Sequence, residues 1–220
     1  ERFPRNPLTR KLYLEVPPPS LDDNLPDLDR LYREIRRVMD APILQTGLKY
    51  IWRVPEILRE SDWKVTATLG ERGGTTEVIQ IEPGDTSSCN CGLAIDIGTT
   101  TVVAHLVDLN TGETLATEAA YNPQIQYGED VITRLIFASK GEGQRILHDA
   151  IVGTLNDLIN SLIREGCSDL HNITAVTCAG NTTMTHFLID LNPNYIRLEP
   201  YVPAACQLPP VRAAEVGLRI

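Results

Sequence analysis

Asp96-Ile97-Gly98-Thr99-Thr100-Thr101 brings one carboxylate, one glycine and three hydroxyls into six consecutive residues. Glycine lets backbone amides approach an anion closely, and successive N–H groups in such a turn form a concave anion site. Threonine hydroxyls add donors to phosphate oxygens, and a carboxylate at the end of a buried strand suits Mg²⁺ held through its water shell. The stretch reads as a phosphate-gripping turn, with Gly98, Thr99, Thr100 and Thr101 on the phosphates and Asp96 on the metal. An ordinary Gly-Thr hairpin turn is the competing possibility. Against it stands the cost of ending an apolar run in Asp and three threonines with nothing bound.

Such a turn needs two strands to hold it. Residues Gly92–Val107, GLAIDIGTTTVVAHLV, run apolar, polar, apolar, and predict strands at Leu93–Ile97 and Thr101–Asp108. Asn110-Thr111-Gly112 turns the chain into a third strand near Thr114–Ala120. A loop, Tyr121–Tyr127, then leads to a helix opening at Gly128-Glu129-Asp130, with Val131, Ile132, Leu135 and Ile136 on one face. A longer helix is predicted from Gln144 to Glu165, with Gly166 as its stop. Ile173–Cys178 is a short apolar strand ending in a second polar glycine turn, Ala179-Gly180-Asn181-Thr182-Thr183. In open α/β sheets ligands gather outside strand ends, so both turns are expected to face one cleft. Capping of a helix by Asn181 or Thr182 is compatible with that role.

Upstream, Glu1–Ser20 holds five prolines around an alternating piece, Lys11–Val16, and reads as an extended, stiff linker. Leu28, Leu31, Ile35, Val38 and Met39 follow a helical period, with Arg30, Arg33, Glu34, Arg36 and Arg37 as the expected solvent face. A second helix is expected at Pro55–Arg59, and strands at Lys64–Leu69 and Glu77–Glu82 flank a turn at Glu71–Gly74. The domain reading is therefore a linker at 1–20, a small α+β middle domain at 21–88, and an α/β domain at 89–220. The proline-rich tail ends at Val216–Ile220, which reads as the start of another strand, so the chain is expected to be a fragment of a longer one.

Composition narrows the function classes. The 220 residues are 42% hydrophobic with a formal net charge of −9. Residues 1–91 carry 13 basic and 15 acidic side chains, residues 92–220 carry 7 and 14. An acidic second half lacks the basic stripe of a nucleic-acid surface. No run reaches the roughly 18 apolar residues of a membrane span, and no secretory leader is recognisable, so a soluble cytoplasmic protein is expected. Cys89, Cys91, Cys167, Cys178 and Cys206 are scattered and form neither a disulfide framework nor an iron–sulfur signature. Cys89-Asn90-Cys91 reads as two thiols near a domain junction. His105, His148, His171 and His186 show no metal-ligand spacing.

A β-β-β-α-β order with D-x-G-T-T between the first two strands resembles the acetate and sugar kinase, Hsp70 and actin superfamily. Two ribonuclease-H-like subdomains close on ATP in that superfamily, which implies phosphate roles for Gly98, Thr99 and Thr100 and a metal role for Asp96. A narrower set, AIDIGTTTVVAHLVDLNTGE, NPQIQYGEDVITRL, CAGNTTMTHFL and EPYVPAA, resembles the reductive activators of corrinoid proteins. The resemblance covers nearly the whole chain. It implies an upstream [2Fe–2S] domain and a second ATPase subdomain, both outside this chain, with residues 89–220 as the first ribonuclease-H-like subdomain.

The implied activity is ATP-dependent return of an inactive Co(II) corrinoid protein to Co(I), with ATP and Mg²⁺ as cofactors and a corrinoid protein of a methyltransfer system as partner. Glu129 or Asp130 would orient the attacking water, by the logic of phosphoryl transfer, against the competing reading of plain helix N-terminal charge, which is favourable there on its own. Gly180, Asn181 and Thr182 would line the γ-phosphate side. The isolated chain is expected to bind ATP poorly and to be inactive alone, and a homodimer is left open. A sugar or acyl kinase fragment and a non-catalytic docking module are the alternatives.

Overall fold

The computed structural model describes residues 6–166 and 169–220. The chain divides into two compact units, Glu1–Asn90 with Leu109–Gly112, and Cys91–Asp108 with Glu113–Ile220.

The first unit is built on a four-stranded sheet. Strands β1 (Thr9–Glu15), β3 (Lys64–Arg72) and β4 (Thr75–Pro83) are antiparallel, and β2 (Leu44–Thr46) lies parallel to β4, giving the order β1-β3-β4-β2. Gly73 and Gly74, with φ of 58° and 78°, form the two-residue loop between β3 and β4, where both positions need positive φ. Helices α1 (Asp27–Val38), α2 (Leu48–Ile51) and α3 (Val54–Glu60) accompany the sheet, and Leu31, Ile35, Leu58, Val65, Ala67 and Val78 are buried in one core.

Two expectations change here. Thr9–Glu15 falls within the segment expected to be a linker, and it is instead an integral strand, paired from Thr9↔Gly70 to Glu15↔Lys64. The alternation of Lys11–Val16 is what drives this, since it delivers Leu14 and Val16 to the core. Arg30, expected on the solvent face of α1, is fully buried. Its guanidinium donates to Asp23 Oδ2 at 2.6 Å and to the carbonyls of Pro17, Asp23 and Leu25. It thereby fastens the proline-rich segment to the helix, which a one-dimensional period cannot reveal.

The second unit holds the order β7-β6-β5-β8. Strands β5 (Cys91–Ile97), β6 (Thr101–Asp108) and β7 (Thr114–Tyr121) form an antiparallel meander, and β8 (Ile173–Gly180) lies parallel to β5. Period-two patterning buries Leu93, Ile95 and Ile97 on one face and leaves Asp96 exposed on the other. Helices α4 (Val131–Ala138), α5 (Gly143–Gly166) and α6 (Thr182–Leu188) follow in the chain. The 24-residue α5 buries Leu147, Ile151, Leu155, Ile159 and Leu162, a stripe at helical spacing that joins the β5 and β6 side chains in a single core. Pro123–Tyr127, expected as loop, is a 3₁₀ turn capped by Asn122.

The tail also departs from expectation. Val216–Ile220 does not begin a strand: Ala213–Val216 is a one-turn helix, α7, stopped by Gly217 at φ 91°. Val216 and Leu218 are buried in the core, and Asn156 of α5 holds the segment by donating to the Gly217 carbonyl and accepting from the Arg219 amide. Among the described residues no helix is long and apolar enough to cross a membrane.

Candidate functional site

Strands β5 and β8 run parallel, with Ile97 opposite Gly180, so the two glycine turns stand side by side at the same sheet end. Asn181 spans them, its Nδ2 lying 3.5 Å from Thr99 Oγ1. Space forbids a side chain at Gly98 and leaves little room for one at Gly180. A Cβ on Gly98 would stand 2.6 Å from the Thr101 carbonyl oxygen, and one on Gly180 would lie 3.1 Å from the Ile97 carbonyl oxygen.

The first turn is held by its carbonyls. Gly98 N donates to Thr101 O at 3.0 Å and closes the hairpin. Asn122 Nδ2 donates to the Gly98 carbonyl at 2.8 Å, Arg134 Nη2 to the Thr99 carbonyl at 2.7 Å, and the Asn122 backbone N–H to the Thr100 carbonyl at 2.8 Å. In a planar trans peptide the N–H points opposite to the C=O. Drawing these consecutive carbonyls toward Asn122 and Arg134 therefore turns the following amides away from the protein. The amides of Thr99 and Thr100 have no hydrogen-bond partner among the described residues. Two donors from successive peptides, beside the exposed Thr100 and Thr101 and the half-buried Thr99, make a concavity suited to an anion.

The support beneath this turn was not legible beforehand. Asn122 and Arg134 are both 0% exposed. Asn122 Oδ1 accepts from the Gln124 amide, and Arg134 also donates through Nε to the Gly128 carbonyl at 2.8 Å and through Nη1 to Gln124 Oε1 at 3.4 Å. Met184 Sδ of α6 lies 3.7 Å from both Asn122 Nδ2 and Arg134 Nη1. No carboxylate pairs with Arg134 among the described residues, and burial lowers its pKa against the through-space pull of Asp130. The expected face of α4 is also rotated. Ile132 and Ile136 are 55% and 40% exposed, while Arg134, Leu135 and Ala138 are buried. Nothing in the local pattern marks an arginine as the inward residue when isoleucines are available. The only sequence signal was its place within NPQIQYGEDVITRL.

The remaining candidates are distributed around the turns. Asp96, two residues before Gly98, is exposed at the sheet end. Asp130 is the N-cap of α4: its Oδ1 accepts from the Thr133 amide at 2.9 Å, and that bond holds its carboxyl below the ordinary aspartate range. Glu129 beside it is exposed. Asn181 is the N-cap of α6, accepting from the Met184 amide, and Gly180 and Thr182 are exposed next to it. No group of three or more His, Cys, Asp or Glu side chains among the described residues is arranged to hold a metal ion. A single carboxylate such as Asp96 suits Mg²⁺ that keeps its waters and shares phosphate oxygens, which is the usual manner of Mg²⁺ in nucleotide sites.

The family model described as the RACo middle region matches residues 91–220, and that described as the RACo linker region matches residues 1–88. The chain belongs to the RACo family. The family descriptions use other labels than the expected ones: "linker" covers residues 1–88, the expected linker and middle domain together, and "middle" covers residues 91–220, nearly all of the expected ribonuclease-H-like subdomain. A solved structure of a reductive activator for corrinoid, iron-sulfur protein is similar over 99% of this chain, with 41% identity and a TM-score of 0.91. The corrinoid activation enzyme RamQ of Eubacterium limosum is 39% identical over 114 residues, half of this chain. The chain spans 35% of the length of the first relative and 19% of the second.

Proposed function

We propose that this chain is the nucleotide-responsive part of an ATP-dependent reductive activator that returns a corrinoid protein from inactive Co(II) to nucleophilic Co(I). The observation that carries the proposal is the likeness to the reductive activator over 99% of the chain. In this reading the amides of Thr99 and Thr100, with the hydroxyls of Thr99, Thr100 and Thr101, hold nucleotide phosphates at the glycine turn. Gly180, Asn181 and Thr182 form the facing wall. Asp96 holds Mg²⁺ through water. Glu129, or the oxygens of Asp130 left over from capping, orient the attacking water, since an N-cap carboxylate has lone pairs beyond the one its amide uses.

The one electron that takes cobalt from Co(II) to Co(I) would be supplied by a reduced [2Fe–2S] domain outside these residues, which would itself be oxidised by one electron. ATP favours the reducible arrangement by binding it more tightly than the other, the only way a nucleotide shifts such an equilibrium. The setting is the cytoplasm of an anaerobe. The test is anaerobic: full-length protein, Co(II) corrinoid protein and a low-potential donor are followed by absorbance with and without Mg·ATP. Co(I) is expected only when all are present. No Co(I) in the complete mixture, or the same rate without ATP, would refute the proposal.

A further inference from the structure

We infer that Arg134 is a positioning residue for nucleotide phosphate, setting the direction and strength of the donors at the Thr99–Thr100 turn although its side chain faces the protein interior. This inference rests on the nucleotide reading of the turn given above.

Helix α4 buries Arg134 completely while Ile132 and Ile136, two residues before and after it and so on the opposite face of the helix, stay exposed. Apolar burial alone would favour the opposite rotation. A buried cation is normally paired, and this one has carbonyls, an amide oxygen and a sulfur but no carboxylate among the described residues. Its 2.7 Å bond falls on the Thr99 carbonyl, whose peptide carries the Thr100 N–H on its opposite side. A cation on the oxygen of that peptide draws electron density from it and strengthens the N–H as a donor, the cooperative effect of hydrogen bonds in series. The same guanidinium is fixed in place by bonds to the Gly128 carbonyl and Gln124 Oε1, so a flip of the Thr99–Thr100 peptide would cost its 2.7 Å bond to a donor that is held where it stands. The natural counter-charge for Arg134 is therefore an anion on the far side of the Thr99–Thr100 peptide. A bound phosphate is such an anion.

The experiment measures the affinity of the full-length protein for Mg·ATP and for adenosine by calorimetry, in wild type, Arg134→Gln and Arg134→Lys, with circular dichroism to verify folding. Adenosine lacks phosphates, so a purely structural role would weaken both ligands alike. The expected result is ATP affinity reduced at least about tenfold in Arg134→Gln with adenosine affinity unchanged, as for loss of a charged hydrogen bond. Arg134→Lys, which keeps the cation on one nitrogen, should lose roughly threefold under the same constraint. If Arg134→Gln does not fold, Arg134→Lys decides, and ATP affinity equal to wild type would overturn the inference. Equal loss of ATP and adenosine would overturn it too. If wild type binds ATP no better than adenosine, the phosphate role of the turn fails and this inference falls with it. A wild-type preference for ATP that Arg134→Gln retains sinks only the role given to Arg134.

Discussion

Asn122 and Gly98, 24 residues apart, are joined by a 2.8 Å bond from the buried Asn122 amide to the Gly98 carbonyl. Through it the exit of β7 holds the turn that leaves β5. Asn122 also supplies the backbone N–H for Thr100 and the cap for Gln124, so one side chain and one peptide organise the base of the site. Replacing it with Ala leaves the Gly98 carbonyl and the Gln124 amide short of partners. Asn122→Ala should destabilise the protein by about 1–3 kcal/mol in a denaturant titration.

Two glycines offer a paired test of close approach. Gly98→Ala forces a Cβ to within 2.6 Å of the Thr101 carbonyl oxygen, so the hairpin must open. Stability should fall by about 1–3 kcal/mol, and ATP affinity with it. Gly153 lies exposed within α5, where an added Cβ meets nothing within 4 Å. Gly153→Ala should instead raise stability by about 0.5–1 kcal/mol, through the entropy of the unfolded chain and helix propensity. Thermal unfolding of the two variants reads both signs.

The first unit carries a pH response. Hydrogen bonds from Arg30 and then Arg33 lower the Asp23 carboxyl to about 2. A carboxyl depressed on folding adds stability above its unfolded pKa and loses it as pH falls through the folded value. The contribution should be whole above about pH 4 and gone near pH 2. Unfolding curves recorded across that interval should show a decline that Asp23→Asn reduces. An unchanged slope in the variant would assign the decline to other carboxylates.

Regular periodicity made much of the framework readable. Apolar alternation in GLAIDI and TVVAHLV marked β5 and β6, the helical stripe from Leu147 to Leu162 marked α5, and Gly98 between two strands marked the turn itself. What escaped depends on partners distant in sequence. The pairing of β1 with β3 joins residues 49 to 61 apart, and its alternation sat among prolines that argued for a linker. The inward placement of Arg134 needs the Thr99 carbonyl, 35 residues earlier, and without that partner an arginine in a helix reads as solvent-facing. Asn122 looked like a loop residue because its three bonds to Gly98, Thr100 and Gln124 become visible only when those residues are assembled around it. Asp130 was legible only as favourable charge at a helix start, and its bond to the Thr133 amide appears once α4 is in place.

The central claim is that the Asp96–Thr101 turn couples ATP to corrinoid reduction, and the most direct measurement is the rate of Co(I) formation by full-length Asp96→Ala with saturating Mg·ATP. Asp96 is exposed, so the substitution should leave the fold intact. The account predicts a rate lower by about tenfold or more, a loss of at least roughly 1.4 kcal/mol in the coupled step. A rate equal to that of wild type would contradict it.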